Sequence, residues 1–358
     1  MARRNSLVRL LANAAVLIAA SLPLSGRNFS AEKTIESGVE VVRLADAKNS
    51  IQVTIVPSIG NRAIEMTVHG RNILYIPDGG LAALLQNPGL NGVPFLAPWA
   101  NRLDATGFWA GGKRYELNAQ LGNFEKDNHG LPIHGLLTAS KYWEVVDVAS
   151  DSKSAHVTSR LEFWKYPELM AQWPFAQRYE MTYRLADGAL QVTASVTNLS
   201  TEPIPLVIGF HPYYRIPDKP RDEWTLSAPG RQQVLTDERL IPTGELKQAD
   251  LPNPVPLRGR LLDTGFTDLE RDAHGNAHFL IASGSERIEI VFGPKYPVAV
   301  LWEPPSTAAH PHEFICVEPM TAVTDGMNLQ HDGKYNSLQT VAPGTTWSES
   351  FSIRPEGI

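Results

Sequence analysis

The chain has 358 residues, 43% of them hydrophobic and 20% charged, with a formal net charge of −6. This composition excludes a disordered or collagen-like protein, and the absence of a long basic run argues against a nucleic-acid partner, because phosphate-backbone binding needs clustered Lys and Arg. The only cysteine is Cys316, which rules out an intramolecular disulfide and a cysteine-based metal centre.

In chain order, Arg3, Arg4 and Arg9 lead into an apolar stretch, residues 10–24, interrupted by Asn13 and Pro23 and too short to span a bilayer. Residues 1–31 read as a secretory signal peptide cut after Phe29-Ser30-Ala31, with Ser25-Gly26 as a competing site. The apolar stretch is not followed by a cysteine for lipid attachment, so the mature protein is expected to be periplasmic or secreted and free of the membrane. The 27 Gly and 27 Pro are scattered, so residues 32–358 read as one domain.

Period-two alternation then dominates. Strands are predicted at 39–44, 51–56, 63–68, 143–148, 156–163, 205–210, 278–282, 288–292, 298–302 and 314–318. Tyr179, Met181, Tyr183 and Leu185, the turn Asp187-Gly188, and Leu190, Val192, Ala194 and Val196 read as a β-hairpin. Helix is expected only as a turn or two at 81–86, so the fold class is all-β, an antiparallel sandwich or barrel.

Three of the ten histidines, His129, His134 and His211, stand in suggestive contexts. His211 ends an apolar run and precedes Pro212, as expected at a cleft rim, although a hydrogen-bonded core histidine fits that segment equally well. Glu318 ends the apolar run 314–318 before Pro319; a buried acid there needs a task or a cation, and a structural ion pair with Arg102 is the plain alternative. Pro98-Trp99-Ala100-Asn101-Arg102 offers an aromatic face beside amide and guanidinium donors, suitable for a sugar.

Asn101-Arg102, Gly107-Phe108, Gly112-Lys113-Arg114-Tyr115-Glu116-Leu117, Ile133-His134-Gly135-Leu136, Trp143-Glu144-Val145, Trp173-Pro174-Phe175, Gly209-Phe210-His211-Pro212-Tyr213, Pro242-Thr243-Gly244-Glu245, Leu262-Asp263 with Phe266, and Val317-Glu318-Pro319 with Asn328 recur in one order. That ordered set resembles the aldose 1-epimerase (galactose mutarotase) superfamily over residues 35–355. The resemblance implies an antiparallel β-supersandwich and the interconversion of the α and β anomers of a free aldose. It implies His211 as the acid for the ring oxygen and Glu318 as the base for the anomeric hydroxyl. Asn101, Arg102, His134 and Asp263 would bind the sugar, with Asp268 as an alternative to Asp263.

Such chemistry needs neither metal nor cofactor. The chain departs from the galactose-specific branch at Ala97-Pro98-Trp99, Ile133-His134-Gly135-Leu136 and Phe210-His211-Pro212-Tyr213, so galactose is not implied. The rivals are a non-catalytic carbohydrate-binding protein, a hexose-6-phosphate 1-epimerase, a metal protein using His310-x-His312-Glu313, and a glycoside hydrolase using Asp263 and Glu318. Oligomeric state is left open.

Overall fold

A computed structural model describes residues 28–304 and 313–358. The long alternating hairpin forms as expected: Gln177–Ala186 and Ala189–Asn198 pair in unbroken register around Asp187 (φ 49°) and Gly188 (φ 73°), the left-handed pair that a two-residue turn requires. These strands lie inside a nine-stranded antiparallel sheet that runs from Glu144–Ser150 at one edge, through Thr346–Glu356, to Val255–Pro256 at the other. Tyr179, Met181, Val192 and Val196 project from one face of it into a single large core.

An eight-stranded sheet carries the candidate residues. Its order is Pro242–Gln248, Gly230–Thr236, Leu262–Leu269, Val298–Glu303, Ile315–Met320, Gly209–Phe210 and Phe95–Leu96, with Tyr213–Tyr214 also paired to Ile315–Met320. Alternation divides its side chains: Phe266, Ala299, Leu301, Ile315 and Val317 join the common core. Asp263, Val300, Trp302 and Glu318 take the opposite face.

A five-stranded sheet spans Phe29–Glu36 to Arg71–Asn72. Residues 1–27 of the expected signal peptide lie outside the described residues, but Phe29 is buried and pairs with Asp46, Ser30 with Ala45 and Ala31 with Leu44. Cleavage after Ala31 would therefore remove three strand residues, whereas a cut at Ser25-Gly26 leaves the strand whole. Helix is brief: Gly80–Gln86, close to the expected turn, with Pro167–Met170 and Gly326–His331.

Two expected strands differ in detail. Residues 205–210 divide into Ile204–Leu206, which pairs with Gln339–Val341, and Gly209–Phe210, which joins the eight-stranded sheet, because the chain crosses between sheets there. The strand ending at Glu318 runs on to Met320, with Pro319 opposite Ala299.

Candidate active site

Gly209 pairs with Met320 and Tyr213 with Cys316, so the two short strands either side of Pro212 keep one register, and His211 falls opposite Glu318. The side chains meet: His211 Nε2 stands 3.3 Å from Glu318 Oε1, both nearly fully buried. Only glycine allows this approach, since a Cβ at Gly209 would stand 2.1 Å from Met320 Sδ and 2.8 Å from the Pro319 carbonyl oxygen.

The 97–102 segment and the Ile133-His134-Gly135 turn lock together beside the pair. Ala97 bridges Gly135, Arg102 bridges Ile133, and the His134 amide donates to the Asn101 carbonyl at 3.0 Å. Asn101 (φ 57°) and His134 (φ 61°) hold left-handed backbone, a conformation that costs about 1–3 kcal/mol at non-glycine residues and gathers at functional sites. His134 meets His211 edge to face, ring centroids 5.3 Å apart.

Asn101, Arg102, His134, His211, Asp263 and Glu318 all line one cavity of about 180 Å³, with Leu90, Ile133, Tyr213, Val300 and Trp302. That volume is below the ~300–1,000 Å³ of larger ligand sites and suits one small molecule. Asp263, opposite Trp302 in the sheet, stands at the open mouth. Asp268 lines a different cavity. His129 is exposed in a turn, away from the cavity lining. Of His310-x-His312-Glu313, residues 310–312 lie outside the described residues, and the Glu313 carboxylate accepts from the Arg221 amide.

Trp99 is not the aromatic face its position suggested. It shares the parity of Phe95 and Ala97, is fully buried in the common core and packs edge-on against Phe124. The aromatic wall comes instead from Tyr213, stacked on the His211 ring at 5.0 Å, and Trp302, edge-on to it at 5.5 Å. Nor does Arg102 pair with Glu318: its Nε donates to Asp127 Oδ2 at 2.7 Å. The other Asp127 oxygen accepts from the His129 and Leu131 amides, so Asp127 is a positioning residue that fixes the guanidinium. A lone aspartate in a polar turn carries no sign of that task in the sequence.

Electrostatics divide the pair. Burial drives the Glu318 carboxyl well above its ordinary value; Asp263 pushes it further up and Arg102 draws it back. Desolvation lowers His211 to about 3, reinforced by the cations Arg102 and Arg62. Burial also takes His134 well below the usual histidine range, assisted by His211 and Arg102. His211 Nδ1, His134 Nδ1 and Glu318 Oε2 are buried without a protein partner among the described residues. An imidazole and a carboxyl that both resist charge can pass one proton between them through a ligand.

Residues 43–354 match the aldose 1-epimerase family. The chain belongs to that family. A similar family relative is the uncharacterised protein YphB of Escherichia coli K12, 27% identical over 271 residues, which covers 73% of this chain and 82% of YphB. This aldose 1-epimerase family member also shares its fold with a galactose mutarotase-like protein from Clostridium acetobutylicum, with TM-score 0.81, 23% identity, and coverage of 92% of this chain and 99% of that one. A galactose 1-epimerase from Lactobacillus acidophilus superposes with TM-score 0.68 and 15% identity, covering 92% and 98%. The fold is thus the galactose mutarotase-like antiparallel β-supersandwich.

Proposed function

We propose that the chain is an aldose 1-epimerase for a free neutral aldose, with His211 as acid and Glu318 as base. The observation that carries this reading is the 3.3 Å approach of His211 Nε2 to Glu318 Oε1 at a cavity of monosaccharide size. The ring oxygen and the anomeric hydroxyl hang from the same carbon, so their proton donor and acceptor must stand within a few ångströms of each other.

From the tautomer that places the pair's shared proton on His211, the imidazolium delivers it to the ring oxygen while the Glu318 carboxylate takes the hydroxyl proton, and the ring opens to the aldehyde. At that point His211 is neutral and Glu318 protonated, the state that burial of both groups favours. Rotation about the C1–C2 bond and reclosure return both protons, so the pair ends as it began. Arg102 offsets the carboxylate charge in the closed-ring state. Asn101, Arg102, His134 and Asp263 hold the hydroxyls, and Trp302 and Tyr213 face the apolar C–H surface.

A hexose 6-phosphate is less suited, because Arg102, the guanidinium among the described lining residues, is already engaged by Asp127. Hydrolysis by Asp263 and Glu318 would leave His211 without a task. NMR saturation transfer between the anomers of glucose and galactose tests the proposal. His211→Ala and Glu318→Gln should each lose about 10²–10⁴-fold in kcat; variants as fast as wild type would overturn this pair as acid and base, and a wild type that does not accelerate exchange would leave a binding protein. We also propose export to the periplasm or medium, with the mature chain starting at or before Phe29, which is core-packed. Amino-terminal sequencing of exported protein beginning beyond Phe29 would refute that boundary.

A further inference from the structure

Arg62 is fully buried, yet no carboxylate pairs with it among the described residues. Burial lowers its pKa to about 10, opposed by Tyr183 and Tyr213, so the guanidinium remains a cation at neutral pH. An unpaired buried charge is costly, and its hydrogen bonds show what it holds. Nη1 donates to the carbonyls of Pro88 at 2.8 Å and Asn91 at 3.0 Å, and Nη2 to those of Gly89 at 3.1 Å and Thr138 at 2.6 Å.

Three of these acceptors belong to one loop, residues 88–91, which folds its carbonyls around the guanidinium. Residues 88–91 make no other hydrogen bond among the described residues. The turn before Arg62 is fixed in its own right: a Cβ at Gly60 would stand 2.2 Å from the Thr138 carbonyl oxygen, and the Asn61 carbonyl accepts from the Tyr183 hydroxyl.

Leu90, inside this loop, lines the cavity of the acid and base. It packs against two apolar clusters, one that includes Val300 and Met320 and one that includes Tyr213 and Cys316. Cys316 and Met320 flank Glu318 on the same face of its strand, so Leu90 lies over that strand on the side of the carboxylate. The titratable and charged groups around Glu318 are His211, His134, Arg102 and Asp263 on the cavity, with Tyr213 and Cys316 beside it. Apolar neighbours must keep water from it. Val300 rises from the sheet itself, whereas Leu90 comes from a loop that one side chain holds.

We propose that Leu90 is a water-excluding cap over the acid and base, and that Arg62 is a positioning residue that acts through it. The inference rests on the anomerase reading above. Water admitted over Glu318 would stabilise its carboxylate, and the pair would lose its shared proton at lower pH.

The cap is tested by ¹³C NMR titration of the Glu318 carboxyl, assigned by its absence in Glu318→Gln, and by the pH profile of anomer exchange. Leu90→Ala should lower the pH at which Glu318 titrates by about one unit or more, a tenfold change in proton affinity, and move the alkaline fall of kcat/KM with it. Leu90→Met, which conserves apolar volume, should restore the wild-type titration. Arg62→Lys retains the charge but has too few donors for four carbonyls, and should shift the titration in the same direction as Leu90→Ala. The double variant should shift no further than Leu90→Ala alone, because one substitution acts through the other.

A Glu318 titration unmoved by Leu90→Ala overturns the cap. Shifts that add in the double variant, or an Arg62→Lys chain that does not fold, overturn the action of Arg62 through Leu90. A wild type without exchange, whose Glu318 titration still responds to Leu90→Ala, would overturn the anomerase reading and support the cap.

Discussion

The hairpin of Gln177–Ala186 and Ala189–Asn198 and the junction of Gly209–Phe210, Tyr213–Tyr214 and Ile315–Met320 are both antiparallel, but they are built in opposite ways. The hairpin has ten residue pairs closed by a local turn, and its buried polar groups are satisfied: Gln177 donates to the Tyr179 hydroxyl, and the Tyr183 hydroxyl to the Asn61 carbonyl, each at 2.8 Å. At the junction, strands of two residues meet a partner over a hundred positions away, and buried atoms of His211, Tyr214 and Glu318 lack protein partners among the described residues. Regular pairing stabilises the frame, while the costs of burial and backbone strain are concentrated where the chemistry is proposed.

The sharpest way to break this contrast is Gly135→Ala. The new Cβ would stand 2.2 Å from the Ala97 carbonyl oxygen, in backbone that cannot swing aside, at a φ of +72°. The expected cost is about 3 kcal/mol or more, together with loss of anomer exchange. A variant with wild-type thermal stability and rate would show that the turn packed beside the junction tolerates movement.

Next in size is the pH dependence of stability. Glu318 has a folded-state pKa above its unfolded value, so its contribution is fully present below ~4.3 and is lost as pH rises through the raised value. His211, lowered to about 3, contributes stability that is present above ~6.5 and lost as pH falls toward 3. Relative to wild type, Glu318→Gln should therefore gain in Tm as pH rises from 4 to 8, and His211→Ala should gain as pH falls over that range. Parallel Tm curves for the three proteins would contradict the burial argument. The smallest effect belongs to the hairpin: Asp187→Ala should cost about 1 kcal/mol in thermal unfolding, because alanine accepts left-handed backbone poorly, and should leave anomer exchange unchanged.

Much of the frame was legible in the sequence, because half-buried antiparallel strands alternate. The Ile51–Val56 strand was bounded to the residue and the hairpin turn was placed correctly. Thr346–Glu356 escaped because Glu349 interrupts its apolar positions, and its carboxylate accepts amide bonds from Lys295 and Ser350. Pro242–Gln248 escaped because all but its first residue are exposed, as befits an edge strand.

At the site, motif order identified six residues that line one cavity, but periodicity alone could not say which way a side chain points. Trp99 was misjudged for that reason: the parity that buries it is set by Phe95 and Ala97 against the core. Trp302 carried the complementary signal, lying in a recognised strand two residues from Val300, yet without its neighbours nothing marked that face as the cleft.

The shared register across Pro212 makes catalysis a measure of alignment. A shift of one residue between 209–214 and 315–320 would bring Val317 opposite His211 and turn Glu318 toward the apolar interior. Such a molecule could keep its sheets and its compactness and still be inert, so assays of secondary structure would overlook a misfolding that one turnover measurement would reveal.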